Sequence, residues 1–190
     1  DGLSIRLNTS KLDLFEKDGR INGDQEKYTL IFQAGHELGH ATRGETLRNA
    51  DKAFNDSVAA ISKGAPPHDF TQPIRDFLTV RRTEEATAHI DGFNAVAAAV
   101  KAEKPNATIE DVRNALSQNP NNALLGYRDD FFRDARSGQL RGGMEFDPVT
   151  LQIRKTPENI ALMSTFYFDQ PATESQLGPK KNSDYKNSYA

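Results

Sequence analysis

Cysteine is absent from these 190 residues, and histidine is scarce, at four. The first absence excludes disulfides and thiolate metal sites, so any metal must be held by His, Asp or Glu. No apolar run approaches the roughly 20 residues that a membrane-spanning helix requires, and the N-terminus lacks a charged-then-apolar signal segment. Net charge is also small: 24 Lys and Arg stand against 27 Asp and Glu, giving −3, and the basic residues are scattered rather than gathered in a stripe. No broad positive field is available to attract nucleic acid. These absences set the expectation of a soluble protein with neither a membrane span nor a nucleic-acid partner. The chain begins with Asp1, which sets the further expectation of a domain belonging to a longer chain.

What is present is the profile of an ordinary globular domain, 36% apolar and 27% charged with both signs interspersed. The length fits one core with a tail, and we divide it into a domain over 1–168 and a polar, extended or mobile tail over 169–190. Leu3 to Leu7 alternates apolar and polar, and Leu12 to Phe15 adds a second short strand before the Asp18-Gly19 turn. Gln25 to Thr42 is free of proline and reads as a helix, followed by a second helix over Glu45 to Ser62. A long helix is predicted from Gln72 or Pro73 to about Glu103, with Gly92 a candidate break. Shorter helices are expected at Thr108 to Gln118, with a capping-box-like start, at Asn121 to Arg136, and from Thr156-Pro157 to about Phe166. The expected class is α+β: a mostly helical domain with a small N-terminal β-sheet.

Two of the four histidines fall in one pentapeptide, His36-Glu37-Leu38-Gly39-His40, inside the first predicted helix. Positions i and i+4 of a helix differ by about 40° around the axis, so both imidazoles face one way and can share one Zn²⁺. Glu37, about 100° from His36, can reach a water on that metal and act as its base. Gly35 and Gly39 each cost the helix about 1 kcal/mol, which a close approach by another element would offset.

A catalytic zinc site needs a third protein ligand and an open fourth position. In the long helix, Glu85 shares a face with Phe77, Leu78, Arg81, Ala88 and Gly92, while Glu84 lies to one side. Glu85 is the expected ligand. His89, four residues on, is a second-shell candidate or an alternative ligand, and Asp51 is a weaker one. Tyr127, Tyr167 and Arg81 are candidate oxyanion donors, and His68 sits in a loop with no assigned role.

The pair of motifs, His36-Glu37-x-x-His40 and Glu85-x-x-Ala88, resembles the gluzincin metallopeptidases, the thermolysin group, over roughly residues 25–100. It is also similar to immunity-repressor peptidases and to metallopeptidase domains of bacterial secreted toxins. The resemblance implies a zincin-like fold, His36, His40 and Glu85 on Zn²⁺, Glu37 as general base, and a protein or peptide substrate. By the same resemblance the chain would be secreted or delivered as part of a longer bacterial protein, with a cognate immunity or inhibitor protein as partner. One departure is evident: His89 stands where thermolysin-like enzymes carry the aspartate that orients a zinc histidine. The same site would serve an amidase acting on peptidoglycan stem peptides. A metal-binding interaction module without turnover would have no need of Glu37.

Overall fold

The computed structural model describes residues 16–17, 20–21, 24–117, 127–133, 138–175, 180, 182–185 and 187. A minimal antiparallel hairpin opens it, β1 (Glu16–Lys17) against β2 (Arg20–Ile21), with Glu16 opposite Ile21. Then come α1 (Asp24–Thr42), α2 (Gly44–Ser62), α3 (Thr71–Glu103), α4 (Ile109–Ala115) and α5 (Arg128–Phe131). A 3₁₀ turn at Arg141–Gly143 leads to α6 (Pro157–Phe166) and the short α7 (Ala172–Ser175).

The α+β expectation is therefore corrected: among the described residues the fold is helical. Two strands of two residues are too short to form a layer, since even a full hairpin is marginal by itself. Among the described residues the buried apolar cluster begins at Tyr28 and is built by helices and the loops between them. The strands expected at Leu3–Leu7 and Leu12–Phe15 lie outside the described residues, as does the Gly178-Pro179 part of the tail. Of the helix expected at Asn121–Arg136, only the turn Arg128–Phe131 falls among described residues.

The long helix α3 is the spine. It runs unbroken through Gly92, because a side chain there would meet the Phe32 ring and carbonyl at 2.9 Å. Glycine at 92 lets α1 lie directly on α3 and lets Phe32, 1% exposed, sink beside Phe93. Burying each such ring contributes about 1.5–3 kcal/mol. Gly35 faces Ala95 and Asp91, and Gly39 faces Ala88. Partner numbers fall on α3 as they rise on α1, so the two helices are antiparallel, and the glycines expected to admit a neighbour do so.

α2 contributes no fully buried residue and packs on the first half of α3 through Phe54 against Phe77, 4.9 Å between ring centroids. α4 begins with the capping box read from sequence: the Thr108 amide donates to Asp111 Oδ2 at 2.7 Å. α6 is capped by Thr156, whose hydroxyl accepts from the Asn159 amide. Asn94 on α3 bonds both backbone polar groups of Ile153, at 3.0 and 2.7 Å, and so ties the segment before α6 to the spine.

Candidate metal centre

Antiparallel packing of α1 on α3 brings the two sequence motifs together. His36 and His40, one turn apart on α1, project their Nε2 atoms to within 2.9 Å of each other, and each lies 3.8 Å from Glu85 Oε2 on α3. The three side chains form the metal-capable cluster among the described residues, with their donor atoms all within 4.8 Å. A triangle with edges of 2.9, 3.8 and 3.8 Å has a point equidistant from its corners at about 2.1 Å, the range of zinc–nitrogen and zinc–oxygen bonds. Tetrahedral ligands stand roughly 3.3 Å apart, so adjustments of a few tenths of an ångström complete the fit. The donor set, two imidazoles and a carboxylate, suits a divalent transition metal, and its chemistry alone does not single out zinc.

The tautomers fit the same purpose. His40 Nδ1 lies 2.5 Å from Glu84 Oε2, so it carries the proton and leaves Nε2 as a lone pair turned to the cluster. The other Glu84 oxygen accepts from Arg43 Nε at 3.2 Å. Arg43 also donates to Asp91 Oδ2 at 2.7 Å, and Asp91 Oδ1 accepts from Lys155. A methyl group at Gly39 would fall 2.9 Å from both Asp91 Oδ2 and an Arg43 nitrogen, so glycine keeps room for that ion pair.

Burial depresses His36 to a pKa of about 3, with help from the His89, His40 and Arg43 charges, so it is neutral at physiological pH. Its Nδ1 is buried without a hydrogen-bond partner. His40 is shifted the other way. Desolvation pulls its pKa down, but the Glu84 hydrogen bond and the charges of Glu85, Glu84 and Glu37 outweigh it and raise the net value.

Glu84 is the residue that sequence reasoning missed. Placed to one side by the helical wheel, it is 4% exposed and holds the His40 ring from behind. The signal was its position beside Glu85 together with Arg43, three residues after His40; what was lacking was the register of α1 on α3.

The other expected residues fall as follows. Glu37 is exposed beside His36, and its charge acts on both His40 and Tyr127. His89 is 1% exposed and outside the ligand cluster: its Nε2 meets Asp130 Oδ2 at 3.1 Å, and its ring lies between Phe131 and Tyr167. Asp51 is turned away from the centre into an ion pair with Arg81, 2.5 Å. Arg81 is thereby engaged, and it also stacks over Phe77. His68 is exposed in the α2–α3 connection near Phe70.

Aromatic side chains wall the centre. Tyr127 stacks on Phe32 at 3.7 Å, and its hydroxyl accepts from Gln33 Nε2 at 3.2 Å. The Tyr167 hydroxyl bonds that of Tyr185, which the expectation of an extended tail had passed over. Burial pushes the Tyr127 and Tyr167 pKa values up, and that of Tyr185 to about 12, so all three are neutral phenols. Among the described residues no helix is long and apolar enough to cross a membrane. Comparison with protein-family models, with curated proteins and with solved structures finds no match.

Proposed function

We propose that this chain is a zinc-dependent metallopeptidase in which His36, His40 and Glu85 hold the metal and Glu37 is the general base. The observation that carries the reading is the convergence of three donor atoms on a point at metal-bonding distance, with a free carboxylate one residue from a ligand. A purely structural zinc site closes its fourth position with a protein ligand, whereas three donors leave it open to water and substrate.

When bound, the zinc ion supplies Lewis acidity to the scissile carbonyl and to the attacking water. Glu37 takes the proton of that water and returns it to the leaving nitrogen. Glu84 fixes the His40 ring and its tautomer. Tyr127 accepts from Gln33 and so keeps its own proton for an oxygen that gains negative charge during the reaction. Glu85 and His36 are more than four-fifths covered, which keeps the charge-handling groups in a low-dielectric setting.

Elemental mass spectrometry on the full chain, beside His36→Ala and Glu85→Ala after identical dialysis, tests the centre. Near-stoichiometric zinc in the parent, lost in both variants, is the expected result. Cleavage of a mixed peptide library, followed by mass spectrometry, then tests turnover, with Glu37→Gln as the inactive control that still binds zinc. Zinc bound without cleavage of peptides or other amides would return the protein to the class of metal-binding modules. A folded parent that binds no zinc when supplemented would refute the centre itself.

A further inference from the structure

An open concavity of about 850 Å³ shares no lining residue with the cluster His36, His40 and Glu85. Its floor is the segment Leu140–Met144, and its walls are Phe146 and Phe166. Two guanidiniums line it, those of Arg133 and Arg141, and among the described residues no acidic one does. Arg43, Arg81, Arg82, Arg128 and Arg154 each meet a carboxylate. Among the described residues Arg133 and Arg141 have no acidic partner. In a chain of net charge −3, a wall with two unmatched cations is a local inversion of sign.

The segment is built rigidly. Leu140 and Met144, 6% and 4% exposed, anchor its two ends in the core. Leu140 pairs with Phe132, and the Arg133 amide donates to the Gln139 carbonyl, 3.1 Å, which joins the two arginine-bearing stretches. Gly142 takes φ +63°, and any side chain there would meet Leu162 and the Phe166 ring at 2.9 Å, so the turn presses its backbone onto α6. Gly143, at φ +78°, faces open space. The turn closes on itself, the Gly143 amide donating to the Leu140 carbonyl at 3.4 Å and the Met144 amide to the Arg141 carbonyl at 3.1 Å, which fixes the backbone that carries Arg141. Arg141 is held over the Phe166 ring at 5.2 Å, which orders its guanidinium before any ligand arrives.

The geometry points to a second binding site, separate from the metal centre, for a small organic anion whose phosphate or carboxylate rests on Arg133 and Arg141 and whose aromatic or apolar body lies against Phe146 and Phe166. Guanidiniums present planar forks of donors that suit tetrahedral or planar oxyanions. The two phenylalanines give a ring the apolar surface that an inorganic ion would not use.

Isothermal titration of the full chain tests this, with phenyl phosphate, benzoate, inorganic phosphate and benzyl alcohol as probes. Each titration is run on zinc-loaded and on chelator-treated protein. Phenyl phosphate or benzoate should bind in both metal states, roughly tenfold or more tighter than inorganic phosphate, and benzyl alcohol should not bind. Arg133→Gln and Arg141→Gln should each weaken binding roughly tenfold or more, while the exposed control Lys63→Gln leaves it unchanged. The stronger of the two aromatic anions identifies phosphate or carboxylate as the preferred head group. Absence of binding up to about 10 mM, binding that needs zinc, or binding unaltered in the double arginine variant would each overturn the site. Equal affinity for phenyl and inorganic phosphate would overturn the ring subsite.

Discussion

Gly35→Ala tests the helix contact on which the metal centre depends, because two known effects of the substitution oppose each other. In an isolated helix the change stabilises by about 1 kcal/mol. Here the added methyl would lie 2.6 Å from Ala95 Cβ, 3.0 Å from the Asp91 carbonyl oxygen and 3.2 Å from Gly92 Cα. Ordinary carbon contacts need about 3.5–4.0 Å, so α1 must retreat from α3 by roughly 1 Å, and two of the three obstacles are backbone that cannot rotate away. Overpacking of this kind costs about 1–3 kcal/mol, and loosening the buried Phe32–Gly92 contact adds to it. The expected net loss is about 1–3 kcal/mol in urea unfolding of metal-free protein, or a Tm lower by roughly 2–10 °C. His36 is the next residue on α1, so the same retreat lengthens its 3.8 Å approach to Glu85. Zinc affinity, measured by competition with a chelating dye, should fall roughly tenfold or more. A variant more stable than the parent, with unchanged zinc affinity, would refute close packing at this position and with it the assembly of the centre from α1 and α3.

Three further predictions concern protons and partners. Metal binding must displace the proton of His40, whose pKa is raised, whereas His36 is already neutral above about pH 4. Zinc affinity should therefore fall about tenfold per pH unit below the His40 pKa, and Glu84→Gln should move that inflection to lower pH while weakening affinity at high pH by roughly 10–100-fold; a profile insensitive to Glu84→Gln would count against the hydrogen bond. In the metal-free protein, the folded pKa of His36 is depressed, so its contribution to stability is complete above the unfolded value near 6.5 and is lost as pH falls towards about 3. Unfolding free energy between pH 6 and 4.5 should drop by about 1.4 kcal/mol per unit more steeply in the parent than in His36→Gln, and equal slopes would contradict the burial of that ring. His89→Phe should leave zinc stoichiometry intact, since His89 is held by Asp130 and its aromatic neighbours; loss of zinc would promote His89 to ligand and displace Glu85.

The helices were legible because periodicity, prolines and caps are local. Thr108, Thr156 and the proline-free run before Thr42 mark ends that depend on nearby backbone groups alone. The metal-capable cluster was legible for the same reason, since two histidines at i and i+4 need only a helix to face one way, and Glu85 needed only an inward face. The class was misjudged because it was weighted by strand alternation, a weak signal over five residues, whereas the described fold is helical. Glu84 and Tyr185 were missed for a different reason. Neither role follows from its own helix: Glu84 matters because Gly39 lets α1 settle at one register, and Tyr185 because its ring reaches Tyr167 and Phe168 from eighteen residues away.

That division has a chemical consequence for the centre. The residues that would touch the metal are specified by short-range pattern, while those that set their protonation are specified by packing. His36 owes its neutrality to burial against α3, and His40 owes its retained proton to Glu84 across the same contact. Two histidines with equal chemistry in sequence are thus shifted in opposite directions by the fold. His36 is ready to bind metal at any physiological pH, whereas Glu84, Glu85 and Glu37 make His40 the more basic of the two. The helix contact, more than the motif, sets how readily the centre would exchange a proton for a metal ion.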